Sequence, residues 1–122
     1  MFDIDLMSRI PIYEQLYRKV IELILKGVLV EQDKLPSVRN LATQLGVNPN
    51  TVAKAYSLLE RDGIIYSLAG RGSFIAKPDK LLAQERVLTD FDTAVHHALE
   101  IGIDPETLRQ RIDAIQENKK GE

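Results

Sequence analysis

Three short stretches of this chain carry side chains able to read or grip a polyanion. Residues 46–56, GVNPNTVAKAY, gather Asn48, Pro49, Asn50 and Thr51 at one point, with Lys54 about one helical turn further on. An asparagine amide can bond adenine through two hydrogen bonds, a threonine offers a hydroxyl or a methyl group, and a lysine reaches guanine or phosphate. Ser37 and Arg39 stand two apart. A serine that opens a helix also marks a helix N-terminus, which attracts phosphate, and Arg39 projects from the first turn beside it. Arg71 lies between Gly70 and Gly72. The glycines permit a tight loop and close backbone approach, and an arginine at such a tip suits phosphate or a minor groove.

Bond-making chemistry has no comparable inventory. Cysteine is absent, so neither a disulfide framework nor a thiolate metal site is expected. His96 and His97 are adjacent, which points them about 100° apart on a helix, unlike an i, i+4 ligand pair. The Asp and Glu residues scatter along polar faces, and no serine stands in a recognisable nucleophile setting. Gly70-Arg71-Gly72 precedes a strand and lacks a third glycine, so it is no dinucleotide motif. No enzyme, cofactor or metal is expected.

The elements that must position these residues can be read from periodicity. Pro11 reads as the first residue of a helix. Ile12, Leu16, Val20, Leu23 and Ile24 repeat at helical spacing, and Tyr13, Tyr17 and Ile21 widen the stripe, so this helix is expected to be buried on more than one side and to end near Gly27. Residues 28–36 read as a connector. Ser37 then caps a second helix whose Val38, Leu41, Ala42 and Leu45 form one apolar face, ended by Gly46. Asn48 caps a third helix with Pro49 at its first position, and Val52, Ala55, Tyr56 and Leu59 face inward. Asn50, Lys54, Ser57 and Arg61 then lie opposite Val52, with no large aliphatic among them.

The connection around Gly46 is a helix-turn-helix: a small Ala42 at the crossing, a turn glycine four residues on, and Val47 plugging the core. A tight αα-corner is the plainer reading of that spacing. Asn48 and Pro49 serve as a helix start in either case, and ordinary solvated surface is the competing reading of Asn50 and Thr51. The next segment favours DNA. IIYSLAGRGSFIAKP holds two short β-rich runs around Gly70-Arg71-Gly72, a hairpin closed by Pro78. Three helices and a hairpin make a winged helix-turn-helix, in which the start of the third helix enters the major groove.

Residues 79–101 are helical again, and Asp104-Pro105 start a final short helix carrying Leu108, Ile112 and Ile115; the last residues, NKKGE, should fray. The expected fold is α+β, mostly α: a winged helix-turn-helix domain over 1–77, then a two-helix C-terminal dimerisation segment over 78–122. Leu81, Leu88, Phe91, Val95 and Leu99, with Leu108 and Ile112, supply more apolar surface than these helices need within one chain. Packing against the chain's own N-terminal domain is the competing reading; we expect a mixture, with most of that stripe at a two-fold interface, so that two winged domains read an inverted repeat.

Net charge taken alone argues weakly against this reading. The chain has 122 residues, 44% hydrophobic and 28% charged, with a net charge of −2. The sum is unlike that of a nucleic-acid binder, but the distribution matters more. Residues 1–76 hold nine Lys/Arg against eight Asp/Glu, and residues 77–122 hold seven against ten, so the acidic excess belongs to the C-terminal third. The opening MFDIDLMSRIPIYEQ lacks a basic region followed by an apolar one, and no apolar window spans a bilayer. The expectation is a cytoplasmic protein without a membrane partner, nucleoid-associated when bound to double-stranded DNA.

Residues 35–75 also resemble the winged helix-turn-helix signature of GntR-family bacterial transcription regulators. Leu35-Pro36-Ser37-x-Arg39-x-Leu41-Ala42, Gly46-Val47, Thr51-Val52, Leu59-Glu60 and Gly63 match its pattern, Gly70-x-Gly72-x-Phe74 matches its wing, and PIYEQLYRKVIELILKG resembles its first helix. The resemblance implies that Ser37, Arg39, Asn48, Asn50, Thr51 and the wing at Gly70 to Gly72 contact operator DNA. The family often has Pro-Gly before the Leu-Pro-Ser element, where this chain has Glu31-Gln32. Residues 78–122 are too few for the family's large ligand-binding domains. They are similar to the short helical tail of the YtrA-type subfamily, whose members dimerise and are often linked to transporter genes. The tail is too small to enclose an effector pocket of about 300 Å³ or more within one chain, and the sequence identifies no effector.

Overall fold

Local capping chemistry sets the helix starts. The computed structural model describes residues 1–77 and 79–120, the side chains of 80–83 and 120 excepted. Its order is α1 (Ile12–Leu25), α2 (Val38–Leu45), α3 (Pro49–Arg61), β1 (Ile65–Leu68), β2 (Gly72–Ile75), α4 (Lys80–Glu100) and α5 (Pro105–Lys120). It is mostly helical, with a single two-stranded antiparallel sheet among the described residues. Ser37 Oγ accepts the Asn40 amide at 3.1 Å and Asn48 Oδ1 accepts the Asn50 amide at 2.8 Å, so both side chains satisfy amides that the helix leaves unpaired. Asp104 does the same for α5 through the Glu106 amide at 2.9 Å. Pro11 corrects one expectation. Its ψ of 146° is extended, so it is the N-cap of α1, and Ile12 is the first helical residue.

The chain divides into two compact units, Met1–Ala83 and Gln84–Glu122; the expected boundary after residue 77 lies a few residues earlier. In the first unit α3 is the hub, packing against α1, α2 and β1. Leu16, Val20, Leu41, Val52, Leu59 and Ile75 are almost wholly inaccessible, and Ala42 and Ala55 let the helices approach. Gly46 holds the turn in the left-handed region at φ 69°, a conformation that any L side chain would strain. The Val47 amide then donates back to the Ala42 carbonyl at 3.0 Å, and the half-buried Val47 packs on the core as expected.

Two features of this unit escape the periodicity. Residues 32–35 are not a free connector. The Gln32 amide donates to the Ile75 carbonyl (2.8 Å), the Ile75 amide to the Asp33 carbonyl (2.9 Å) and the Leu35 amide to the Ser73 carbonyl (2.9 Å). This segment lies along β2 on the side away from β1, and it buries Leu35. Phe2 joins the core from the N-terminal segment. That segment is clamped by Gln15, whose amide accepts from the Asp5 N–H (2.7 Å) and donates to the Asp5 and Ile10 carbonyls (3.0 and 2.8 Å).

The second unit reads differently. Gly102, at φ 91°, ends α4, and α5 continues through Lys120, so Asn118 and Lys119 are helical where fraying was expected. No described residue of 84–119 is buried. Leu88 and Phe91 are 45% and 46% accessible, Leu99 and Ile112 are similarly open, and Val95 and Leu108 are half-buried. The Leu81 side chain, Pro78, and residues 121 and 122 lie outside the described set.

Candidate nucleic-acid interface

The residues that spacing expects to read bases lie together at the start of α3, most of them exposed. Asn48, Pro49, Asn50 and Lys54 are exposed and Thr51 is half-buried. Val52, Ala55, Tyr56 and Leu59 on the opposite side are buried. The cap constrains Asn48: its carbonyl oxygen is held by the Asn50 amide, leaving its NH₂ group as the part free to donate outward. Asn50 keeps its whole side-chain amide. Lys54 is exposed, with its ammonium 4.0 Å from the centre of the Tyr13 ring on α1, a cation–π contact that restrains a flexible side chain. Arg61, further along, is drawn to Asp62 (3.2 and 3.4 Å), which holds its guanidinium above its usual pKa, and Asp62 also accepts the Tyr17 hydroxyl at 2.6 Å.

Tyr56 ties this helix to the start of α2. Its hydroxyl donates to the Pro36 carbonyl at 2.7 Å, and burial pushes the phenol up to about 12. Pro36 is the residue before the Ser37 cap, so the bond fixes α3 relative to the N-terminus of α2. Ser37 and Arg39 are exposed there.

The hairpin forms as expected, with Ile65 opposite Ile75, Tyr66 opposite Phe74, Ser67 opposite Ser73 and Leu68 opposite Gly72. Ile65 and Ile75 face the core, and the Tyr66 and Phe74 rings stack at 5.6 Å on the other face. The loop is closed by the Arg71 amide donating to the Leu68 carbonyl at 2.9 Å. Gly70 and Gly72 have φ of 74° and 114°, and Arg71 is exposed between them.

A cleft of about 430 Å³ joins two of the three stretches. Ser37 lines it from the start of α2, Gly70, Arg71 and Gly72 from the wing, and Ser67 and Ser73 from the hairpin, where their hydroxyls are 3.2 Å apart. Lys34 lines it too. Periodicity passes over Lys34 because it sits in what reads as a connector, and residues 31–36, EQDKLP, carry no apolar/polar alternation that would mark a strand. Among the described residues, no group of three or more His, Cys, Asp or Glu side chains is placed to hold a metal ion, and no helix is long and apolar enough to cross a membrane.

Comparison with known proteins gives a consistent result. Residues 12–75 match the bacterial regulatory proteins of the gntR family. Over its whole length the chain is similar to the HTH-type transcriptional repressor YtrA of Bacillus subtilis strain 168, at 43% identity over 99% of this chain and 96% of that one. Among solved structures, a protein from Listeria monocytogenes EGD-e described as a transcriptional antiterminator shares 38% identity, with a TM-score of 0.73 over 95% of this chain and 90% of that one. The DNA-binding domain of AraR, solved in complex with operator ORE1, has a TM-score of 0.53 at 29% identity, over 62% of this chain and 93% of that one.

Proposed function

The chain belongs to the gntR family of bacterial regulatory proteins, a family of DNA-binding transcription regulators and not of enzymes, and from that premise we propose that it works as a dimeric repressor of an inverted-repeat operator. The observation that carries the DNA reading is the division of α3 into two faces. Its inward residues are buried, and its N-cap and first turn offer Asn48, Asn50 and Thr51 with no aliphatic among them. A winged domain built to bind protein would favour an apolar outward face, and this one is polar.

In this reading Asn50, Thr51 and Asn48 take base edges in the major groove, with Arg39 beside them, and Ser37 and Arg71 take the backbone or the minor groove. The apolar surface at Leu88, Phe91, Val95, Leu99, Leu108 and Ile112 supports dimerisation. A helical unit in which no described residue is buried lacks the apolar burial that stabilises helices in water. A second copy supplies it, and a two-fold pair reads two half-sites. Occupation of a promoter then blocks polymerase. The similarity to a named repressor over nearly the whole chain supports repression, and the chain's own operon, with transporter genes, is the target we infer. The working place is the cytoplasm, on the nucleoid.

Gel shift with the promoter region of the chain's own operon, at stated salt, tests this. We expect sequence-specific binding that weakens steeply as salt rises, since phosphate contacts release counterions. Equal affinity for an unrelated duplex would overturn the operator assignment, and a monomeric mass at micromolar concentration would overturn the dimer.

A further inference from the structure

We propose that Lys34 is a further DNA-contacting residue, holding a backbone phosphate beside the wing together with Arg71; this rests on the DNA-binding reading above. Lys34 stands between Asp33, whose carbonyl accepts the Ile75 amide, and Leu35, whose amide donates to Ser73. Its backbone is therefore part of the hairpin's own hydrogen-bonded frame, bridged to Phe74. Its side chain runs across Gly72: a Cβ there would lie 3.0 Å from Lys34 Cε and 3.8 Å from Nζ. The missing side chain at Gly72 is the gap through which the lysine stem passes toward the wing tip.

Charge and surroundings suggest what the ammonium meets. Among the described residues no carboxylate lies within ion-pair distance of Lys34. The cleft that it lines also contains Arg71 and Ser37, and no Asp or Glu lines it. Two cations on one open cleft, with hydroxyls and no anion, repel one another until something negative lies between them. A lysine ammonium is a compact point charge without the fork that reads a base edge, so a phosphate of the duplex is the fitting partner. The loss on its removal should then not depend on base sequence.

The test uses the full chain in fluorescence anisotropy with two labelled duplexes: the promoter region of its own operon, and a scrambled sequence of the same length and composition, each across a potassium chloride series. Lys34→Met keeps the stem and removes the charge; Lys34→Arg keeps the charge. In the dimer Lys34→Met removes one phosphate contact from each copy, so we expect the slope of log affinity against log salt to fall by about 1.8, which corresponds to roughly sixtyfold weaker binding near 0.1 M salt on both duplexes. Lys34→Arg should keep the wild-type slope. Melting curves of both variants should overlay wild type. A wild-type slope in Lys34→Met, or a loss confined to the promoter duplex, overturns the proposal. If wild-type protein binds neither duplex, the functional reading itself fails, which is a different result from a variant-specific one.

Discussion

Gln32 is the described non-glycine residue held in the left-handed region, at φ 71°. It is the third residue of a turn closed by the Asp33 amide on the Val30 carbonyl (3.0 Å) and braced by the Asp33 carboxylate accepting the Val30 amide (2.8 Å). Turns that need positive φ at this place ordinarily use glycine. Gln32→Gly removes a conformational cost of about 1–2 kcal/mol for an L residue in that region. It also restores to the unfolded chain the extra freedom of glycine, about 0.5–1 kcal/mol. The Gln32 side chain is exposed and has no hydrogen bond to lose among the described residues. The net expectation is stabilisation of about 0.5–1 kcal/mol, a rise in Tm of roughly 3–6 °C for a domain of this size. Thermal unfolding by circular dichroism, at one fixed protomer concentration, measures it. Gln32→Ala serves as control, because alanine keeps the backbone cost and should melt near wild type. A Gln32→Gly protein that melts at or below wild type would refute the reasoning, showing that the turn is not strained or that the glutamine side chain contributes a contact.

Other consequences can be measured directly. Arg39→Ala and Asn50→Ala should each lose about 1–3 kcal/mol of operator affinity per half-site, so about 2–6 kcal/mol for the dimer, with little effect on a scrambled duplex, as gel shift at fixed salt will show. Tyr56→Phe leaves the Pro36 carbonyl without its donor and should cost about 1 kcal/mol in denaturant unfolding. The same variant tests a pH effect. The folded phenol at about 12 lies above its unfolded value of about 10, so its contribution is complete below pH 10 and is lost as pH rises toward 12; Tyr56→Phe should show a shallower alkaline loss over that window. Phe91→Glu places a charge on the exposed apolar stripe and should yield a monomer by sedimentation, with operator affinity falling while each winged domain keeps its fold; an unchanged dimer mass would remove Phe91 from the interface.

The legibility of each determinant in the sequence depends on how local it is. Ser37, Asn48 and Asp104 cap helices through amides two or three residues away, so their spacing suffices to place them. Gly46, and the hairpin around Gly70 and Gly72, are equally local. Pro11 falls one position from its expected place because proline is compatible with both N-cap and first-turn geometry. The pairing of residues 32–35 with β2 spans some forty positions and leaves no strand pattern in the local sequence. Lys34 is hidden with it. The Lys54–Tyr13 contact joins α3 to α1, so the helical wheel shows Lys54 as outward but not what restrains it. The buried Phe2 depends in the same way on a fold that must form first.

Residues 33–36 join everything in the first unit that the proposal sends to DNA. Asp33 and Leu35 hydrogen-bond the wing strand, Pro36 accepts the hydroxyl of the recognition helix, and Ser37 opens α2. Wing, α2 start and α3 thus share one anchor, and none can shift without breaking a bond to another. Such a surface is ordered before its partner arrives and surrenders little conformational entropy on docking. Docking then carries little cost of backbone ordering, and a binding signature dominated by coupled folding would be foreign to this unit.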